Sequence, residues 1–202
     1  MFVYLTTAIV IKCSPTLFMQ NINLKYLPTI RTPNITLRPI NINDAEQLYK
    51  LRKDPKIMRY IDRPLMESID DAGKLINLIL DLQQRHEAAM WAITLPGDED
   101  MIGNIGFWEV TPEHYRSEIG YMLSPQYQGR GIMSAAIKEI TKVGFKTLGF
   151  HSIAANVNPH NQASIKLLKN AGFVQEAYFK ENYYFEGKFL DSIVFSIVDN
   201  NS

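Results

Sequence analysis

The chain has 202 residues, with 21 Lys plus Arg against 21 Asp plus Glu, and this balance excludes the global basic field that draws proteins to nucleic acid or to an anionic membrane. With 46% apolar and 21% charged residues it can bury one sizeable core. The single Cys13 cannot form an internal disulfide, which fits a reducing, cytoplasmic setting, and His86, His114, His151 and His160 lack ligand spacing, so no metal site is expected.

Met1 to Ile11 is apolar, but it has no basic n-region or small-residue cleavage site, and Lys12 cuts it short of a membrane span. Met19 offers an alternative start. Residues 1–30 are therefore read as an N-terminal extension, disordered or an edge strand, or as an over-long reading frame, and 31–202 as the domain.

From Asn34 the pattern becomes regular. Ile35 to Arg38 alternates as a strand limited by Pro39. Asn43 precedes a helix to about Lys53, with Glu46 at the capping-box position and Pro55 as the stop. Ser68 caps a second helix whose apolar face is Ile69, Ala72, Leu75, Ile76, Ile79 and Leu82. Met90–Leu95, Ile102–Trp108 and about Arg116–Leu123 then form three strands with short connections, an antiparallel meander.

Gln126 to Ser134 follows, with Gly129 and Gly131 between the third of these strands and a helix carrying Met133, Ile137, Ile140 and Val143 at helical spacing. A strand that ends in two glycines and opens a helix exposes uncapped N–H groups and the positive end of the helix dipole, which is an anion site. No lysine follows the glycines, so the loop is not of the Walker type, and no carboxylate lies about 20 positions on, as a dinucleotide fingerprint requires. A glycine turn that only packs a helix on a sheet is the plain alternative.

Ser152–Val157 is a strand reached by a right-handed crossover and hence parallel to the one before it. Asn161 caps a helix from Gln162 to Asn170, and two strands near Phe173–Tyr178 and Phe189–Val198 close the chain. The fold class is α/β (α+β): a mixed, mostly antiparallel sheet of about seven strands with about four helices.

In that setting the run Gln126-x-x-Gly129-x-Gly131 resembles the pyrophosphate loop of the Gcn5-related N-acetyltransferases (the GNAT superfamily). The resemblance runs from about Asn34 to Val198 and includes Asn156-x-Asn158 and Asn161-x-x-Ser164-x-x-Leu167-Leu168-x-x-x-Gly172-Phe173. Thr36-Leu37-Arg38-Pro39, Ile102-Gly103-x-Ile105-Gly106, Glu118-Ile119-Gly120-Tyr121 and Gly187-Lys188-x-x-Asp191 resemble the RimJ/RimL-type ribosomal-protein alanine acetyltransferases in particular.

The resemblance implies direct transfer of an acetyl group from acetyl-CoA to a primary amine, most simply the α-amine of a protein N-terminus. That amine, with a pKa near ~8, is far more often neutral at pH 7 than a lysine near ~10.4. It also implies that backbone groups of Met122 and Leu123 meet the pantetheine, that the N–H groups of Gln128, Gly129, Arg130, Gly131, Ile132, Met133 and Ser134 hold the pyrophosphate, and that Asn156 and Asn161 contact the coenzyme.

Asn161 is equally a plain N-cap. Glu118, a carboxylate in an apolar strand, is the candidate base or else a solvent-facing or ion-paired residue. Many members of the superfamily place a tyrosine where Leu168 stands here, which leaves Ser164 to serve the departing thiolate or to be a small helix residue. Trp108 is the favoured acceptor-pocket residue among aromatics (Tyr60, Tyr121, Tyr183, Tyr184) that otherwise read as core, and Asp191 reads as a buried structural carboxylate.

The implied partners are acetyl-CoA and an amine acceptor, with neither nucleic acid nor membrane, in a monomer or homodimer. Acetylation of a small amine such as a polyamine, amino acid or amino sugar is the second reading, and a coenzyme-binding module without transfer activity is the third.

Overall fold

A computed structural model describes residues 22–199. The elements are β1 (Ile30–Arg31), β2 (Thr36–Pro39), α1 (Ala45–Arg52), α2 (Pro55–Met58), α3 (Ile69–Gln84), β3 (Ala89–Thr94), β4 (Gly103–Thr111), β5 (Arg116–Leu123), α4 (Ile132–Lys146), β6 (Ser152–Val157), α5 (Gln162–Asn170), β7 (Val174–Phe185) and β8 (Lys188–Val198). This is the expected order with a two-residue β1 and a one-turn α2 added. One sheet of 8 strands runs β1-β2-β3-β4-β5-β6-β8-β7. Every neighbouring pair is antiparallel except β5 and β6, which the α4 crossover makes parallel.

Helices cover both faces, which is why β3 is buried at every position. On one face Trp91, Ile93, Ile105 and Phe107 pack with Ile132, Ala136, Ile137 and Ile140 of α4 and Leu168 of α5. On the other, Met90, Ala92, Met101 and Met122 meet Leu48, Leu51, Met58, Ala72, Ile76 and Ile79 from α1, α2 and α3.

Local chemistry sets the element ends. Ser68 accepts from the Asp71 N–H and caps α3 as anticipated. The first capping box lies earlier than expected: Asn41 and Asp44, not Asn43 and Glu46, bond reciprocally across a 3-10 turn that leads into α1. Pro55 opens α2 at its first turn. The extension placed at 1–30 divides. Residues 1–21, Cys13 and Met19 among them, lie outside the described residues. Residues 22–30 pack on the domain: Ile22 and Leu24 are in the core, and the Pro28 carbonyl accepts from Trp91 Nε1 at 2.9 Å.

The last two strands are longer than expected and meet at a two-residue turn, Glu186-Gly187, where both residues have positive φ (45° and 81°), as a twisted hairpin requires. Asp191 does not match its expected burial. It is partly exposed on β8, and it accepts from Tyr178 Oη and from the Glu181 N–H across an irregularity in β7.

Arg38 and Asp44 tie β2 to α1 through two contacts, Nη1 to Oδ2 at 2.9 Å and Nη2 to Oδ1 at 2.6 Å, with Asp44 3% exposed. Removing one member strands a buried charge. In denaturant titrations, Asp44→Ala is expected to cost about 3–5 kcal/mol. Glu99→Ala, which removes only an exposed partner of Arg38, is expected to cost less than about 1 kcal/mol.

Candidate active site

The β5–β6 ladder is three residues long. Arg116, Ser117 and Glu118 pair with Ser152, Ile153 and Ala154, and beyond that point the strands part, although β5 runs on to Leu123 and β6 to Val157. A cleft of about 970 Å³ opens along this divergence. Its lining includes Trp108, Glu118, Met122, Asn156, Asn161 and Ser164, six of the residues singled out in the sequence.

Which backbone groups face the gap follows from strand parity. The Ser124 N–H donates to the Ile102 carbonyl at 2.9 Å, and the β4–β5 register is unbroken from Gly103–Leu123 to Trp108–Glu118. Even-numbered residues of β5 therefore bond to β4; the Ile119 N–H closes the ladder to Ala154 of β6, and the Ile119 carbonyl with the N–H and C=O groups of Tyr121 and Leu123 turn toward the gap. This corrects the expectation for Met122, whose side chain lines the cleft but whose backbone pairs with Asn104. The Leu123 carbonyl does face outward, where it accepts from Gln128 Nε2 at 3.1 Å.

The glycine loop lies outside the cleft lining. Gly129 (φ 71°) and Gly131 (φ 75°) adopt the left-handed conformation, and a Cβ on either would touch nothing within 4 Å. They are thus required for backbone shape, not for room. Gly131 is the N-cap of α4 and supplies no side-chain cap, so the first N–H groups of this 15-residue helix stay open. The Gln128 N–H is an exception to the expected set, since it donates to the Pro125 carbonyl at 3.1 Å. Among the described residues the N–H groups from Gly129 to Ser134 have no backbone acceptor. Arg130 lies over the Tyr127 ring at 5.5 Å. The side chains of Ile132 and Met133 are core, and Ser134 borders a separate depression between α4 and α5.

Side-chain alternation sorts the cleft into two sides. Glu118, Met122 and their β4 partners Trp108 and Asn104 project toward α1 and α3. Trp108 lies over Gly120, where an added Cβ would come within 3.1 Å of the indole. Burial, reinforced by Glu109, pushes the Glu118 carboxyl above its ordinary range, and Arg116 opposes this. Glu109 reaches that position from the irregular stretch of β4 between Trp108 and Thr111, with φ at 48°.

On the opposite side Tyr121 points toward α5. Burial pushes its phenol up, while the neighbouring Ser164 hydroxyl works the other way, and no hydrogen bond to the fully buried Tyr121 Oη is complete. Asn161 Oδ1 accepts from the Ser164 N–H at 3.1 Å, so Asn161 caps α5 while also facing the cleft. Leu168 is wholly buried.

Three lining residues escaped the sequence reading. Asn104, 3% exposed with Nδ2 unpartnered, was detectable as the one amide in an apolar strand. Tyr121 reads in the sequence as one more core aromatic. Arg52, at the end of α1, carries no local signal, because the residues that surround it come from the loop after α2, from α3 and from the strands of the cleft wall. That wall is completed by Tyr183 of β7, whose hydroxyl donates to Asp62. Among the described residues no cluster of His, Cys, Asp or Glu suits a metal ion, and no helix is long and apolar enough to cross a membrane.

Residues 34–174 match the model of the acetyltransferase (GNAT) domain. An uncharacterised N-acetyltransferase of Bacillus subtilis strain 168 is 33% identical over 171 residues, which covers 85% of this chain and 97% of the relative. A spermidine N(1)-acetyltransferase of Vibrio cholerae is 25% identical over 158 residues, 78% of this chain and 88% of the relative. Among solved structures, a RimL ribosomal L7/L12 α-N-protein acetyltransferase in complex with coenzyme A superposes with a TM-score of 0.80 at 22% identity, covering 87% of this chain and 100% of that one.

The proximity of Glu109 to Glu118 has a direct readout. In a carboxyl-carbon NMR titration, Glu109→Gln is expected to lower the Glu118 midpoint toward the ordinary value near ~4.3. An unchanged midpoint would mean that burial alone raises it.

Proposed function

The chain belongs to the GNAT acetyltransferase family and is an acetyl-CoA-dependent N-acetyltransferase, and from that premise we propose that its acceptor is the α-amine of a protein N-terminus. The carrying observation is the shape of the cleft. It is open, and it is walled by Arg52, Leu75 and Leu78 from the first helices and by Asn182 and Tyr183 from the last hairpin, which leaves a groove for an extended segment. The likeness to a RimL structure supports the same reading.

The residues divide the work by the two sides of the cleft. The Ile119 carbonyl and the outward backbone groups of Tyr121 and Leu123 suit the amides of the pantetheine arm, as an added strand would. The open N–H groups of Gly129 to Ser134 suit its pyrophosphate, and Asn156 and Asn161 flank the arm. The thioester supplies the acetyl group. Glu118, with its raised pKa, takes the proton that the attacking amine must lose. The Ser164 hydroxyl donates a hydrogen bond to the sulfur as the C–S bond breaks, with Tyr121 beside it. Trp108 forms the apolar wall next to the amine.

A second reading, a polyamine acceptor, is favoured by one feature. Glu87, Glu109 and Glu118 lie on the same wall, and a spermidine acetyltransferase is among the relatives.

Thiol release from acetyl-CoA with peptides beginning in Ala or Ser, run beside spermidine and amino sugars, separates the two. Turnover with peptides is expected, and turnover confined to polyamines would remove the proposal. Glu118→Gln is expected to lower kcat by ~10²–10⁴. Because the base works deprotonated, kcat/KM should rise with pH through the raised Glu118 pKa. In Glu109→Gln that limb should move to lower pH, since the repulsion that holds the pKa up is gone.

A further inference from the structure

Arg52 ends α1 and projects into the acceptor side of the cleft. Its guanidinium is largely withdrawn from solvent, and Nε is fully buried with no hydrogen-bond partner. Among the described residues no carboxylate forms an ion pair with it. The one charge near enough to affect it is a second cation, Arg63, which also lines the cleft. The acidic groups of the lining are engaged elsewhere: Asp62 accepts from Tyr183, Glu87 pairs with Arg85 at 3.1 Å, and Glu109 faces Glu118. A half-buried guanidinium beside a second guanidinium, with no counter-charge, is costly unless something else brings the charge.

We propose that Arg52 and Arg63 form a carboxylate-recognition site within the acceptor cleft, so that the acceptor is an amine that also carries a carboxylate. On the protein N-terminus reading, from which this inference proceeds, the carboxylate is an acidic side chain in the first few residues of the substrate. The planar fork of Arg52 matches the two oxygens of a carboxylate, and a withdrawn Arg52 cation with the exposed Arg63 cation beside it repels a polycation. The cleft then has two poles, the carboxylates beside Trp108 for the amine and the guanidinia at the α1 end for the anion. A dipolar acceptor suits that arrangement, and spermidine does not.

The test uses C-terminally amidated peptides beginning with Ala or Ser, with Asp at position 2, 3 or 4, each paired with its Asn counterpart, alongside free aspartate and spermidine. At one position at least, the Asp peptide should exceed the Asn peptide in kcat/KM by about tenfold or more, mainly through KM. That ratio should fall to near one in Arg52→Gln and be partly kept in Arg52→Lys, with both variants shown to be folded by circular dichroism.

Equal rates for acid and amide at all positions, a ratio unchanged in Arg52→Gln, or spermidine as the best acceptor would overturn the proposal. Preference for free aspartate over every peptide would keep the anion site and remove the protein N-terminus. If no amine is turned over, calorimetric binding of acetyl-Ala-Asp and acetyl-Ala-Asn peptides with coenzyme A present decides: preference for the acid sustains the site, and equal binding overturns it.

Discussion

Everything at the working end of this molecule depends on the β5–β6 ladder stopping after Glu118 and Ala154. Each of these strands is secured on its other edge, β5 by β4 and β6 by β8, so the sheet behaves as two antiparallel halves joined by three residue pairs. Where the halves diverge, backbone N–H and C=O groups are left without a partner strand, and such groups need to be met by water or by a ligand that presents amides. The open strand edge and the uncapped start of α4 lie in succession along the chain. A single elongated molecule with amides at one end and phosphates at the other satisfies both.

The gap also joins the two faces of the sheet. Alternation along β5 places Glu118 toward α1 and α3 and Tyr121 toward α5, so the proposed base and the Tyr121 and Ser164 hydroxyls stand on opposite sides of the cleft. Smaller irregularities tune this arrangement. The bulge in β4 carries Glu109 toward Glu118, Gly120 gives Trp108 room to lie against β5, and the Tyr183–Asp62 contact holds the last hairpin to the loop after α2.

Local signals suffice where the physics is local. Two glycines between a strand and an apolar-faced helix specify a positive-φ loop whatever surrounds it, and that loop is present. The capping box at Asn41 and Asp44 was misplaced by two residues because Asn43 and Glu46 satisfy the same local pattern, and only the 3-10 turn before α1 separates them. Asp191 was expected to be buried because it begins an apolar strand. It is partly exposed because β7 is the last strand of the sheet and covers it from one side only.

The sequence by itself determined the order of the elements, the mixed sheet with its one parallel pair, the glycine loop that opens α4, and a list of cleft residues that includes Trp108, Glu118, Asn156, Asn161 and Ser164. Each of these follows from periodicity, from turn chemistry or from motif resemblance, all carried by residues close together in the chain. Only the tertiary structure decided that the Ile119 carbonyl and the backbone groups of Tyr121 and Leu123, and not those of Met122, face the gap, because hydrogen-bond parity is set by a partner strand. Only it placed Arg52 beside Arg63 without a counter-charge, Tyr121 beside Ser164, and Glu109 beside Glu118. Electrostatic environment is a property of what the fold brings together, and a charge has no sequence period to announce its neighbours.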